Sequence, residues 1–269
     1  MHFDAHVHSA TSPDSELDPL DAINTLRSMG LGTIFTEHVD FITPVDGKNF
    51  AANDAPIHIG TPRDFVCDFE IYPSMYKSLR DPKSVLLGIE IGLNAAYYDL
   101  NYKVTNGEYD FVLGAIHYVR GIDIYNDSKY QDPTNFCRDY LTYAKEIVEY
   151  CGFFDAFAHI DYITRYEGKL NKVFEYKTYE KEFDALLSAL ISRDVVLEIN
   201  TARFGNPNVI AQLLPIYKRY QELGGMYVTI GSDAHTKRAL GRFYANAIGL
   251  AKMAKLTPVY FCDRKRFLC

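Results

Sequence analysis

Seven short apolar runs in this chain each end on a histidine, an acid or an amide. These ends are His6 and His8, Glu37 and His38, Glu90, His117, His159, Asn200, and Asp233 with His235. Polar groups at the ends of separate strands can act together only if those ends meet. Parallel strands joined by returning helices bring them to one side. A closed parallel barrel gathers every carboxyl end on one face, where barrel enzymes carry their active sites. Six of the eight histidines occupy these ends, while His2 and His58 do not.

The returning helices are legible. Asp18-Pro19 reads as an N-cap with proline in the first turn, Leu20, Ile23, Leu26 and Met29 follow at helical spacing, and Gly30 stops the run. Thr33 to Thr36 is then a strand ending in Glu37-His38. A helix is expected within 64–80, and strands at 84–89 and 109–116. Another helix should carry Phe136, Tyr140, Tyr143 and Ile147 on one face, followed by a strand at 153–158. Phe183, Leu186, Leu187, Leu190 and Ile191 give the cleanest helical face, over 182–191. A strand at 195–199, a helix at 208–222, a strand at 226–230 and one or two helices over 237–255 complete the pattern. Residues 41–63, rich in Pro, Gly, Asn and Asp, read as a long loop over one end of the fold. No repeat or linker interrupts 1–269, which reads as a single domain.

His6-Val7-His8 aims two imidazoles to one side of a strand. Neutral imidazole suits zinc, iron and related ions, and clustered His, Asp and Glu are the signature of a metal site. Six histidines with Glu90 and Asp233 exceed what one ion can hold, so two or three ions fit better. Glu90 is the candidate bridge, because its two oxygens can join ions about 3.5–4 Å apart. Asp14 either caps a turn or folds back as a further ligand. Glu37 is expected to orient a ligand histidine, and Asn200 is read as a turn residue.

The motifs Asp4-Ala5-His6-Val7-His8-Ser9, Thr36-Glu37-His38, Gly88-Ile89-Glu90, Gly114-Ala115-Ile116-His117, Ala158-His159-Ile160-Asp161 and Gly231-Ser232-Asp233-Ala234-His235 span nearly the whole chain. In kind and order they resemble the polymerase-and-histidinol-phosphatase (PHP) superfamily. The stretch from Tyr118 to Asp123, the His159-Ile160-Asp161 context and the length resemble its stand-alone histidinol-phosphatase branch. The resemblance implies a distorted seven-stranded (β/α) TIM-like barrel with three metal positions. It implies that His6, His8, Glu90 and Asp233 hold one ion, Glu90, His117 and His159 a second, and Asp14, His38 and His235 a third. Many relatives carry histidine where Asp14 falls.

The expected cofactors are therefore two or three divalent or transition ions: zinc, iron or manganese. Glu90, Asp233 and His235 are the expected catalytic residues. Such a cluster suits phosphate-ester hydrolysis, because it acidifies a bound water toward neutrality and neutralises phosphoryl oxygens. The implied activity is hydrolysis of L-histidinol phosphate in histidine biosynthesis. Alternatives are another small phosphate ester or nucleotide as substrate, a metal-dependent amidohydrolase, and a metal-binding module without catalysis. Arg165 and Arg203, after the fifth and sixth strands, are candidates to grip phosphate, with Lys237 and Arg242 weaker ones. Asp161, Tyr118 and Tyr162 are candidates to read an ammonium and an imidazole, whereas Tyr97 and Tyr98 are expected to pack.

The net charge of −7 and the lack of a basic run argue against nucleic acid as partner. No apolar stretch is long enough to span a membrane and no signal peptide is visible. Five cysteines without a Cys-x-x-Cys pair suggest reduced thiols and a cytoplasmic location. The expected partner is a small phosphate ester, and no sequence feature dictates an oligomeric state.

Overall fold

The computed structural model describes residues 1–41, 67–120, 122–124, 132–165 and 174–269. Past residue 41, the long loop expected at 41–63 lies outside the described residues, as does His58. The strands β1 (Phe3–Val7), β2 (Gly32–Val39), β3 (Val85–Gly92), β4 (Phe111–Ala115), β7 (Ala156–Phe157), β8 (Val196–Asn200) and β9 (Tyr227–Gly231) lie side by side in that order and run parallel. β10 (Thr257–Cys262) continues the sheet in parallel, and β11 (Lys265–Leu268) turns back antiparallel. A two-stranded hairpin, β5 (Tyr118–Val119) and β6 (Ile122–Asp123), stands apart.

Helices α1 (Pro19–Ser28), α2 (Tyr72–Tyr76), α4 (Pro133–Tyr150), α5 (Glu180–Ser192), α6 (Pro207–Glu222) and α7 (Tyr244–Met253) fall where the spacing places them. Asp18 caps α1 by accepting from the amides of Leu20 and Asp21, and Gly30 leaves the helix at φ +75°. The sequence reading missed α3 (Tyr98–Thr105), the β5–β6 hairpin and the β10–β11 hairpin. The last had a signal: β-branched and aromatic residues at 257–262, then Asp263 and Arg264, both at positive φ. The strand expected at 153–158 is regular over two residues; just before it the Asp155 carboxylate accepts from the Val112 amide and from Arg264.

Two apolar clusters divide the sheet's faces. The larger joins the helices to Val85, Leu87, Ile89 and Ile91 and to their equivalents on other strands. The smaller holds Phe3, Ile34, Leu86, Phe111, Leu113, Val196, Val259 and Phe261, so helices pack on one face while the apolar cluster on the other draws on no described helix. Along that second face, period-two alternation runs from apolar residues at the strand starts to polar ones at the ends: Ile34–Thr36–His38, Leu86–Gly88–Glu90, Leu113–Ala115–His117 and Val196–Glu198–Asn200. In β1 the register slips between Asp4 and Val7. Beyond the slip Val7 packs in the larger cluster while His6 and His8 join the polar group.

The opposite, amino-terminal rim is stapled by Asp110. Its carboxylate accepts from Arg80 (2.6 and 2.9 Å), the Leu87 amide (2.9 Å) and the Asp263 amide (3.0 Å). Burial alone would raise the acid's pKa; the Arg80 bonds and the two amides outweigh it and hold the pKa below the ordinary range. A depressed acid contributes stability above its unfolded pKa of about 3.9, and loses it as pH falls through the folded value. Asp110→Ala is expected to cost about 2–4 kcal/mol at pH 7 by leaving two amides unpaired and Arg80 with Asp263 as its remaining carboxylate partner. Urea unfolding should show that cost shrinking below pH ~4; a constant difference down to the acid limb would exclude the charged staple.

Candidate metal centre

Glu90 is fully buried at the end of β3, and five imidazole nitrogens face its two oxygens. Oε1 lies 2.8 Å from His159 Nε2 and 3.4 Å from His117 Nε2. Oε2 lies 3.2 Å from His6 Nε2, 3.4 Å from His8 Nε2 and 3.1 Å from His38 Nδ1. Asp233 Oδ1 approaches the same point, 3.6 Å from His6 Nε2 and 3.4 Å from His8 Nε2. A third group is more open: Asp14 Oδ2 stands 3.1 Å from His235 Nε2 and 3.6 Å from His38 Nε2, and the two imidazoles are 3.3 Å apart. Every candidate ligand thus sits in one cluster.

The backbone is shaped for this approach. Asp233 holds φ +56°, a conformation L-residues adopt at a cost, and its amide is pinned to the His6 carbonyl at 2.8 Å. Gly92 leaves space for Asp40, on which a Cβ at that position would fall.

Electrostatics describe a cation-seeking pocket. Burial alone would lower His38, but Glu90, Asp40 and Asp14 raise it to about 9. Burial likewise opposes protonation of His6 and His117, yet carboxylates raise both well above the usual imidazole value: Asp233, Glu198 and Glu90 act on His6, Asp40 and Glu90 on His117. His8, buried and facing the charge of His38 and His235, is pushed well below it. Glu90 and Asp233 stay ionised despite burial, held down by the surrounding histidines and, for Asp233, first by Arg165.

The residues fit metal ions. His6 Nε2, His8 Nε2 and Glu90 Oε2 are buried and face one another without hydrogen bonding. Donor atoms of His6, His8 and Glu90, of His6, His159 and Asp233, of Glu90, His117 and His159, and of His8, His38 and His235 each lie within 4.8 Å of one another. These clusters are able to bind metals.

Around them lie groups the sequence reading missed or placed differently. Asp40 bonds His117 Nδ1 at 2.8 Å and stands 3.4 Å from His38 Nδ1. Glu198, mid-strand, bonds His6 Nδ1 at 2.7 Å. Asn200 does make a turn, accepting from the Ala202 amide, but its amide nitrogen also donates to Glu198 and Asp233. Glu37 reaches a histidine only through a relay: it accepts from Ser9 and Ser12, and Ser12 Oγ lies 3.4 Å from His8 Nδ1. Alternation along the strand was the available signal for Glu198, two residues from the apolar Val196 on the same face.

Arg165 donates to Asp233 Oδ2 at 2.5 Å and to Asn200 at 3.1 Å, and lies over the Tyr162 ring. That ring packs against His117 and His159. Arg203 and Asp161, expected to serve opposite ends of a ligand, bond each other at 2.6 Å. Arg242 donates to the Ser232 carbonyl, and exposed Lys237 pairs with Asp21. Tyr97 is buried and Tyr98 packs with Tyr102, Tyr150 and Phe153, as expected.

The PHP domain family model matches residues 4–202. The chain belongs to the PHP family. It is 36% identical over 267 residues to a probable histidinol-phosphatase of Clostridium acetobutylicum, covering 98% of each chain. It is 27% identical to a histidinol-phosphatase of Lactococcus lactis subsp. lactis, covering 86% of this chain and 83% of that one. The crystal structure of a histidinol phosphate phosphatase from the same organism, in complex with zinc, L-histidinol and phosphate, superimposes with a TM-score of 0.82 over 99% of this chain and 98% of that one, at 24% identity. The α/β fold with a parallel sheet is therefore shared with that structure.

Metal uptake should be tied to protons. The raised pKa of His38 gives stability that is full below about 6.5, the unfolded value, and is lost as pH rises through about 9. Metal-free protein should thus lose stability across that window, while zinc-loaded protein should not. Zinc binding at pH 7 should release protons, because ligand imidazoles must be neutral. Titration calorimetry in two buffers of different ionisation enthalpy measures that release; none at pH 7 would show that the raised imidazoles do not ligate.

Proposed function

We propose that this chain is a metal-dependent phosphomonoesterase that hydrolyses L-histidinol phosphate to L-histidinol and phosphate, in histidine biosynthesis. The carrying observation is the division of Glu90: one oxygen faces His117 and His159, the other faces His6, His8 and His38. A carboxylate so placed can bridge two ions. His6, His8, Glu90 and Asp233 hold one ion in this reading, Glu90, His117 and His159 a second, and Asp14, His38 and His235 a third. Zinc, iron and manganese all suit such donors. When bound, the ions supply an acidified water and positive charge at the phosphoryl oxygens.

The chain's own groups do the rest. Glu90, Asp233 and His235 are the catalytic residues, as ligands at the reacting centre. Arg165 and Arg203 hold phosphate oxygens through charge-assisted bonds. Asp161, released as Arg203 turns to phosphate, accepts from the substrate ammonium. Tyr162 and Tyr118 offer ring faces to its imidazole. The pairing of Arg165 with Asp233 supports this division by holding that guanidinium beside the cluster, and Arg203 pairs with Asp161, two residues after His159.

We also infer that the sheet closes into a distorted seven-stranded barrel and that 1–269 is one catalytic domain. Val7 bridges Ala234 in parallel, the His8 amide donates to the Ala234 carbonyl at 2.9 Å, and one sheet face carries no helices. Strands from residue 3 to residue 268 share one sheet. No helix among the described residues is long and apolar enough to cross a membrane, and all five cysteines are unpaired. These features accord with a cytoplasmic enzyme.

Phosphate release from L-histidinol phosphate, against nucleotides and sugar phosphates, tests the reading. A clear preference for histidinol phosphate is expected; equal turnover of the panel would reject the substrate. Arg165→Ala and Arg203→Ala should lower kcat/KM by about 1.5–3 kcal/mol on histidinol phosphate and on p-nitrophenyl phosphate alike. Asp161→Asn should penalise the former more than the latter. Arginine variants impaired solely on the natural substrate would reassign them away from phosphate.

Counting bound metal separates the bridge from a terminal ligand. Glu90→Gln should lose at least one ion and nearly all turnover, whereas His38→Ala should lose mainly the third. Equal losses in both variants would refute the bridging role.

A further inference from the structure

We propose that Glu198 is a positioning residue for the metal centre: it fixes the tautomer of His6 and the placement of His159, so that ligands from distant parts of the sequence meet. The inference rests on the metal reading above and goes beyond it, since Glu198 is not among the ligands assigned there. Glu198 is buried on β8, with two separate duties for its two oxygens. Oε1 bonds His6 Nδ1 at 2.7 Å. Oε2 accepts from the His159 backbone amide at 2.7 Å and from Asn200 Nδ2 at 3.1 Å. A carboxylate only accepts, so His6 Nδ1 must carry a proton, which leaves Nε2, on the side of Glu90 and Asp233, as the nitrogen that gives up its proton to ligate an ion. Nε2 is buried and makes no hydrogen bond.

Two further features hold this arrangement. A Cβ at Gly231 would overlap both the His6 Cβ and the Glu198 carboxylate, so the close approach needs glycine there. The backbone carbonyl of Glu198 accepts from Tyr217 at 2.6 Å, which anchors the strand from its helical side.

Glutamine is isosteric but cannot satisfy both contacts. It has one carbonyl and one amide, and the donors it faces are His6 Nδ1–H on one side and His159 N–H with Asn200 Nδ2 on the other. Either the amide meets the His159 amide, a donor against a donor, or it meets His6 Nδ1 and drives the proton to Nε2, where it blocks ligation. Aspartate keeps both acceptors on a shorter stem.

Zinc affinity measured by chelator competition on wild type, Glu198→Gln and Glu198→Asp tests this, with urea unfolding of the metal-free proteins as the check on folding. Glu198→Gln should bind zinc about 10–100-fold more weakly while its metal-free form stays cooperatively folded, and Glu198→Asp should recover part of that loss. Zinc affinity of Glu198→Gln within about twofold of wild type would overturn the positioning role and leave the metal reading intact, as would equal losses in both variants. A wild type that holds neither zinc, iron nor manganese would overturn the metal reading, and this inference with it. Should Glu198→Gln not fold, imidazole nitrogen NMR of the zinc-loaded wild type decides: His6 is expected protonated at Nδ1, and a proton on Nε2 overturns the proposal.

Discussion

A carboxylate buried among five imidazoles is the constraint on which the site depends. Removing an ionised acid from water costs several kcal/mol unless compensating charge is near. Among the described residues, the charged or chargeable groups in close contact with Glu90 are His6, His8, His38, His117 and His159, with no lysine or arginine. Four other strands each bring at least one of these imidazoles. Any change in how β1, β2, β4 or β7 sits against β3 therefore alters the charge environment of one side chain. Without cations the compensation falls to protons, which explains why His6, His38 and His117 are drawn upward while Glu90 stays ionised.

Register converts this requirement into backbone geometry. His38 on β2 is the direct partner of Glu90 on β3, and Glu90 is in turn the partner of Leu113 on β4. Because side chains alternate with period two, a one-residue slip would send Glu90 or His38 into the larger apolar cluster and expel Ile89 or Val39 from it. The apolar and ionic patterns enforce the same register. The slip in β1 between Asp4 and Val7 is where the pattern is broken, and it is broken at the two-histidine motif.

The ligand ends were legible because each follows an apolar run of strand length, a signal carried within a few residues. Partners that depend on tertiary approach were not. Glu198 sits inside a strand and reads as a polar interruption until β1 is laid beside β9, 192 residues from His6 in sequence. Asp40 follows its strand directly, and the histidine it bonds lies 77 residues away. The Arg203–Asp161 pair was foreseen as two separate candidates, since nothing local tells an arginine whether phosphate or a neighbouring acid will satisfy it. The β10–β11 hairpin did carry local signal. Its place beneath the apolar end of the sheet, with Phe261 stacked on Phe111 and Tyr260 on Phe3, follows only from the need to cover that end.

The ligand groups differ in burial, and that ordering has a physical consequence. His6, His8 and Glu90 are sealed from solvent, whereas the side chains of Asp14 and His235 are 34% and 26% exposed. Exposed charge is better screened and contributes less to holding a cation. On the proposed assignment the two buried positions bind tightly and release slowly, because stripping an ion from them leaves uncompensated charge in a dry interior. The third exchanges with solvent more readily. It also lies on the side from which a phosphate ester must approach, since the other groups are enclosed by the strands that deliver them. On that assignment, a ligand set graded in this way would keep the bridged pair bound while the outermost position adjusts to each incoming phosphate.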